Sequence, residues 1–223
     1  MRVFCDFDGT ITRQDTTDMV LEALADPDWR RLQADWEAGR ITGAACMRGQ
    51  VALIRGPAAD LDAVLDGVEL DPGFAEFVDW CETRGLPLSI VSDGVDYFIR
   101  QLLARHGLER LPVVSNRLAG EPGAWRLEHP PGAADCANGS GVCKCAAMGD
   151  GASDDTMIFV GDGRSDFCVA RRADILFAKG ALAAHADEID EAYLAFDTFH
   201  DVGRALAILL DEPAPMSNPL SPT

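Results

Sequence analysis

The sequence predicts an α/β fold: a Rossmann-like parallel sheet with helices on both faces and a helical cap inserted after the first strand. Three observations lead there. Short apolar runs of strand character, at 2–5, 86–91, 157–160 and 174–178, alternate with stretches of helical spacing, as parallel strands joined by right-handed crossovers do. Three of these runs end in small polar or acidic residues, at Asp6, Ser92 and Asp162. In open parallel sheets ligands bind beyond the carboxyl ends of the strands, so these clusters share one expected site. Finally, a long segment with helical periodicity and no strand separates the first two runs.

The first strand runs straight into Asp6-Phe7-Asp8-Gly9-Thr10-Ile11-Thr12. From about 15 to 68, apolar residues recur at helical spacing (Val20, Leu21 and Leu24, then Trp29, Leu32 and Trp36, then 41–54, then Leu61, Val64 and Leu65), with breaks at Gly39, Gly56-Pro57 and Gly67. This reads as about four helices, the inserted cap. Asp71-Pro72 predicts the start of a further helix, with Asp as N-cap, running to Arg84 and stopping at Gly85. A strand over 86–91 leads into Ser92-Asp93-Gly94, and a helix over 95–106 closes at Gly107. Pro112 to Ser115 predicts a short strand and Trp125 to Leu127 part of a hairpin, while 130–155 shows no sustained periodicity. Strands over 157–160, 174–178 and 192–196 and a helix over 202–210 complete the pattern. The proline-rich segment 213–223 is expected to be a flexible tail. The expected domains are a core of 1–13 plus 72–212 and a cap of 14–71, with 12–15 as hinge.

The length of 223 residues allows a main domain with a smaller insert, and 48% hydrophobic with 25% charged residues is ordinary for a soluble protein. With 19 basic against 37 acidic residues the net charge is −18, which repels nucleic acid and anionic membranes, so neither is an expected partner. No run is long enough for a transmembrane helix, and the first strand already carries the Asp pair, so no signal peptide is expected. Seven cysteines, several within apolar patterns, read as free thiols in a cytoplasmic protein, either monomer or homodimer. Cys136, Cys143 and Cys145 with His129 lack the paired C-x2-C spacing of structural zinc.

In an extended segment residues i and i+2 point to the same side, so Asp6 and Asp8 can face one site. Close carboxylates at a strand end repel one another unless a cation sits between them, and hard oxygen ligands suit Mg²⁺. By itself, a bare D-x-D-G reads more readily as a solvated strand end before a glycine turn. Gly161-Asp162-Gly163-Arg164-Ser165-Asp166 supplies a second acidic cluster. The stretch 149–154 fits the same template, but only the second copy follows an apolar strand, which assigns metal binding to Asp162 and Asp166 and leaves the first copy as an acidic surface turn.

The Asp-x-Asp-Gly-Thr-x-Thr stretch after an apolar strand resembles the nucleophile motif of the haloacid dehalogenase superfamily of phosphatases. The resemblance implies that Asp6 attacks phosphorus to form an aspartyl phosphate, and that Asp8 protonates the leaving oxygen and later activates water. Ser92, Asp93 and Gly94 become phosphate contacts. In that superfamily a lysine lies between the serine motif and the last acidic motif; of the two lysines, Lys144 matches that order and Lys179 does not. Metal ligands are then Asp6, the Asp8 carbonyl and Asp162, with Asp166 direct or through water. On the cap, Arg48, Gln50 and Arg55 are candidates for the phosphate side, the two arginines being seven residues apart and so expected to share a helix face.

Within the superfamily the chain is similar to the branch that holds phosphoserine phosphatase and 2-hydroxy-3-keto-5-methylthiopentenyl-1-phosphate phosphatase. Asp15 after the first motif, Asp96 and Phe98 after Ser92-Asp93-Gly94, the Cys143-Lys144 pair, 114–116 and 177–179 look like the latter. Ser140-Gly141 stands where that family tends to have a further cysteine, and Cys145 where it usually has proline. The resemblance implies a Mg²⁺-dependent phosphomonoesterase of a small phosphorylated metabolite, with phosphoserine, phosphocholine or phosphoethanolamine as alternative substrates. Two readings of another class are a receiver-type signalling module, which would be about half this length with its acceptor on a middle strand, and a catalytically silent phosphate-binding relative. The latter would be expected to lack one of Asp6, Asp8, Lys144 and Asp162.

Overall fold

A computed structural model describes residues 1–131, 136, 138–149 and 155–210. Seven strands form one sheet in the order β4-β3-β2-β1-β5-β6-β7, every neighbouring pair parallel except β3 and β4. They are β1 (Arg2–Cys5), β2 (Leu88–Val95), β3 (Val113–Glu121), β4 (Ala124–Glu128), β5 (Met157–Gly161), β6 (Ile175–Ala178) and β7 (Leu194–Ala195). The first strand therefore sits at the centre, paired on one side with β2 (Cys5 opposite Ile90) and on the other with β5 (Cys5 opposite Val160). That register brings Asp6, Ser92 and Asp162 to the same edge of the sheet.

Side chains alternate across β1, and the core divides accordingly. Val3 and Cys5 pack with Ile90, Ile158 and Val160 beneath α5 (Phe74–Thr83), α6 (Asp96–Arg105) and α9 (Phe199–Leu209). Phe4 and Phe159 face the other way, against Val142, Met148, Val169 and Leu182. This second layer contains the five-residue α7 (Lys144–Met148), a 3₁₀ turn at Arg164–Val169 and α8 (Gly180–Glu188). The α7 and α8 helices escaped the periodicity analysis because one is little more than a turn and the other is alanine-rich, with weak contrast between its faces.

Between β1 and β2 the chain builds α1 (Thr16–Leu24), α2 (Trp29–Glu37), α3 (Gly43–Val51) and α4 (Ala58–Leu65). The segments leading into and out of this bundle pair with each other: Thr12 bridges Leu70, the Arg13 amide donates to the Glu69 carbonyl (3.0 Å) and the Asp71 amide to that of Ile11 (2.8 Å). The β3–β4 hairpin leans on the bundle, with Trp125 Nε1 donating to the Gly56 carbonyl at 3.2 Å.

Three local expectations are corrected. The fifth helix begins at Phe74, because the buried Asp71 carboxylate accepts from the Gly73 and Phe199 amides (2.9 and 3.1 Å) and ties α5 to α9 instead of capping a helix at Pro72. The second strand does not stop before Ser92; it continues to Val95 through a shift of register between Val91 and Val95. Arg55 is not on the helix that holds Arg48, since α3 ends at Val51. The expected acidic turn at 150–154 and the tail at 213–223 lie outside the described residues.

Candidate active site

A cavity of ≈ 240 Å³ opens at the carboxyl edge of the sheet, beneath the α1–α4 bundle. Its floor comes from the loops after β1, β2 and β5, and its roof from α1, α2 and α3. Among the described residues, six carboxylates line it (Asp6, Asp8, Asp15, Asp18, Asp93 and Asp162), with Arg164 as the one lining cation.

Asp6 is almost fully buried at the end of the central strand, with its amide held by the Val160 carbonyl at 2.9 Å. Below it, the wholly buried Lys144 ammonium lies 2.7 Å from Asp6 Oδ1 and 2.5 Å from Asp166 Oδ1. The other oxygen of Asp166 accepts from the amides of Asp162 and Gly163 (3.1 and 3.0 Å), so this carboxylate both holds the lysine and shapes the loop after β5. Asp162 Oδ1 accepts from the Thr10 hydroxyl at 2.5 Å and thereby links the two loops. Gly9, at φ +75°, makes this approach possible: a Cβ there would meet Asp162 Oδ2 at 2.5 Å.

Burial drives Asp6 well above the usual carboxylate range and Asp166 adds to the effect, while the Lys144 ammonium opposes it. For Lys144 burial favours the neutral amine, but Asp166 and Asp6 outweigh it and the ammonium is held above its ordinary pKa. Burial also raises Asp162, with the Thr10 hydroxyl opposing. Asp6, Asp162 and Asp166 present oxygen atoms within 4.8 Å of one another. Three carboxylates against one ammonium leave excess negative charge in a dry site, and an all-oxygen donor set of this kind fits a hard divalent cation.

Asp8 belongs to the cap side as much as to the floor. Its Oδ1 accepts from both the amide (2.8 Å) and the hydroxyl (2.6 Å) of Thr16, the first residue of α1. Burial raises its pKa and the Thr16 bonds oppose. A carboxyl that keeps its proton above the ordinary range is suited to giving it away to a leaving group. Ser92 is buried, and its Oγ accepts from the Gly94 amide at 2.9 Å. A Cβ at position 94 would run into Asp8 Oδ2, so a larger residue there would have to displace that carboxylate.

Of the expected phosphate contacts, Asp93 stays at the cavity with its side chain engaged elsewhere, and Arg48 lies outside it. Asp93 lines the cavity, yet its Oδ1 accepts from Asn116 Nδ2 (3.0 Å) and the Val142 amide (2.9 Å), so it anchors the chain just before Lys144; a carboxylate would in any case repel a phosphate. Burial raises its pKa, with the Asn116 and Val142 bonds opposing. Arg48 is exposed and does not line the cavity. The face of α3 that does so is Gly43, Cys46, Met47 and Gln50, an i, i+3, i+4, i+7 stripe that leaves position 48 outside. Gln50 is on that stripe, buried and bonded to Gln33 Oε1 at 3.1 Å.

Residues with no role at this site assigned from sequence are Thr16, Thr17, Asn116, His129 and Arg164, although Asn116 lies in the 114–116 likeness and Arg164 within the acidic motif. His129 joins core to bundle, Nδ1 facing Asn116 Oδ1 (2.7 Å) and Nε2 the Ala44 carbonyl of α3 (3.1 Å). No local pattern marks such a residue.

Comparison with known proteins agrees with this geometry. Residues 3–171 match the model of the haloacid dehalogenase-like hydrolases. The chain is 33% identical over 214 residues to the 2-hydroxy-3-keto-5-methylthiopentenyl-1-phosphate phosphatase of Brevibacillus brevis, covering 92% of this chain and 94% of the relative. It is 34% identical over 213 residues to the enzyme of the same name from Geobacillus kaustophilus, with the same coverage of 92% and 94%. In fold it resembles a substrate-bound phosphoserine phosphatase (TM-score 0.66, 18% identity, 91% of this chain and 96% of the other). This chain belongs to the haloacid dehalogenase-like hydrolase family.

Proposed function

We propose that the protein is a Mg²⁺-dependent phosphomonoesterase that cleaves 2-hydroxy-3-keto-5-methylthiopentenyl-1-phosphate, or a close aliphatic relative, through an aspartyl phosphate on Asp6. The observation that carries the reading is the buried Asp6 carboxylate, paired with Lys144 and grouped with Asp162 and Asp166 at the carboxyl edge of the sheet. The names of the relatives support the substrate, since each is aligned over nearly its whole length.

In this mechanism an Asp6 oxygen attacks phosphorus in line, the ester P–O bond breaks, and Asp8 gives its proton to the leaving oxygen. Asp8, now a carboxylate, then takes a proton from water, which attacks the phosphoryl group; the P–O bond to Asp6 breaks and inorganic phosphate leaves. Lys144 holds positive charge beside the equatorial oxygens, and the Ser92 hydroxyl, held in place by the Gly94 amide, offers a hydrogen bond to them. Asp6, Asp162 and the Asp8 carbonyl would hold the Mg²⁺ directly; Asp166, with both oxygens already engaged, would act through water or through Lys144. When bound, the ion supplies Lewis-acid stabilisation of phosphoryl charge. The bundle at 14–71 is proposed as a cap domain that excludes water from a core of 1–13 and 72–212. Seven free thiols suit a reducing, cytoplasmic setting.

The test is hydrolysis of a panel of phosphate monoesters with Mg²⁺, including the methylthio keto ester and phosphoserine. The expected result is preference for the keto ester and loss of turnover in Asp6→Asn. Preference for phosphoserine, or full activity in Asp6→Asn, contradicts the reading.

A further inference from the structure

Lys144 is fully paired beneath the floor of the cavity, but the other cation of the site is not. Arg164 sits inside the acidic loop after β5, two residues from Asp162, and its side chain is exposed at the cavity. It makes no ion pair with any described residue, although six carboxylates line the same cavity. Its guanidinium instead lies over the indole of Trp36, 4.9 Å from the ring centroid, across the boundary between core and bundle. A guanidinium over an aromatic face is held by the ring quadrupole while its edge N–H groups stay free. The backbone below is fixed as well, since Asn138 Nδ2 donates to the Arg164 carbonyl at 2.9 Å.

Trp36 also lines the cavity, and its own N–H has no hydrogen-bond acceptor among the described residues. Stacked face and free edge together present several unspent donors to whatever occupies the cavity. The phosphoryl end already has the Ser92 hydroxyl and, beside Asp6, the Lys144 ammonium. We propose that Arg164, positioned by Trp36, is the specificity residue of this site: it hydrogen-bonds the hydroxyl or carbonyl oxygens that the substrate carries beyond its phosphate. This rests on the phosphomonoesterase reading above and adds the recognition of an oxygen-bearing aliphatic body. Five donors in a planar fork match adjacent hydroxyl and keto oxygens, which a lysine ammonium would meet at one point only.

The experiment compares the Mg²⁺-loaded protein with Arg164→Ala, Arg164→Lys and Trp36→Phe on two kinds of ester. One is an aliphatic ester with hydroxyl and keto oxygens near the phosphate; the other is phenyl phosphate, which has none. Arg164→Ala is expected to raise KM for the oxygenated ester about 10- to 100-fold, the worth of hydrogen bonds to a charged donor, with kcat within about threefold. Its turnover of phenyl phosphate should stay within about twofold, Arg164→Lys should recover part of the lost affinity, and Trp36→Phe should fall between wild type and Arg164→Ala. Equal losses on both esters, a loss confined to kcat, or no change on either would overturn the proposal. Wild-type rates alone decide the underlying reading: hydrolysis of phenyl phosphate but of no oxygenated ester overturns that substrate class and this role together. A normal preference for the oxygenated ester, unchanged in Arg164→Ala, overturns only the role of Arg164.

Discussion

The floor and the roof of the cavity spend their polar groups differently. On the floor, Asp6, Lys144, Asp166, Asp162 and Thr10 are bonded to one another, and the lysine and Asp166 have no exposure at all. On the roof, Thr17 is buried with no partner for its Oγ1 among the described residues; at the rim, where the floor's loop after β5 meets the roof, Arg164 has the Trp36 ring beneath it but no carboxylate. A preassembled floor suits a step that is the same for every substrate, because its dipoles need no rearrangement as charge develops. Unspent donors and acceptors suit the part that varies, since an incoming ligand must complete them. Asp8 stands between the two regions: it is a floor residue by sequence, but its carboxylate is held by Thr16 of α1.

Removing the cation from the floor should have the largest effect. Lys144→Met leaves Asp6 and Asp166 buried without their counter-charge, which costs about 3–5 kcal/mol of stability and abolishes turnover. Thermal unfolding with and without Mg²⁺ checks it, and the loss should be smaller when the ion is present. Next comes the residue between floor and roof. Asp8→Asn should lower kcat about 10²- to 10⁴-fold with little change in unfolding midpoint, whereas Thr16→Val should give a smaller fall in kcat by removing one of the two hydrogen bonds to Asp8 Oδ1. Comparing the two by steady-state kinetics separates proton transfer from its positioning.

The third prediction concerns pH. Asp6, Asp8 and Asp162 have folded-state pKa values raised by burial, so the folded protein binds more protons than the unfolded chain above the ordinary carboxylate range. Their contribution to stability is therefore lost as pH rises. The metal-free protein should melt higher at about pH 5.5 than at about pH 8, and Mg²⁺ should raise the melting temperature more at the higher value. Calorimetry on stripped protein checks both signs; a metal-free protein that gains stability as pH rises would contradict them. The smallest effect is expected on the roof. Thr17→Val removes a buried hydroxyl that has no described partner, so the free protein should gain about 1 kcal/mol while KM rises.

The fold class and the floor were legible because their signals are local. A strand followed by Asp6 and Asp8, a strand followed by Ser92, and a strand followed by Asp162 each show in a few adjacent residues, and parallel pairing brings such ends together. Lys144 needed more, since its five-residue helix has no periodicity to read; only motif order in a known superfamily singled it out. What failed was anything that depended on which way a side chain faces. Asp93 lines the cavity with its Oδ1 engaged by Asn116 and the Val142 amide, an anchoring role that a three-residue turn signal does not reveal. Arg48 missed the cavity because the phase of α3 is set by packing against α2, and Arg55 because that helix ends sooner than its apolar pattern. His129 and Asn116 lie 13 residues apart on either side of a hairpin, and Arg164 meets Trp36 across 128 residues; no spacing rule reaches that far.

The most direct measurement is to quench the Mg²⁺-loaded protein in acid during turnover of a phosphate monoester and locate the phosphoryl group by peptide mass. The mechanism predicts one phosphoryl group per chain, on the peptide that contains Asp6, absent from Asp6→Asn and accumulating in Asp8→Asn when the leaving group is good enough to depart without its proton. Turnover with no trapped phosphoryl group in either wild type or Asp8→Asn, or a label on any residue other than Asp6, would contradict it.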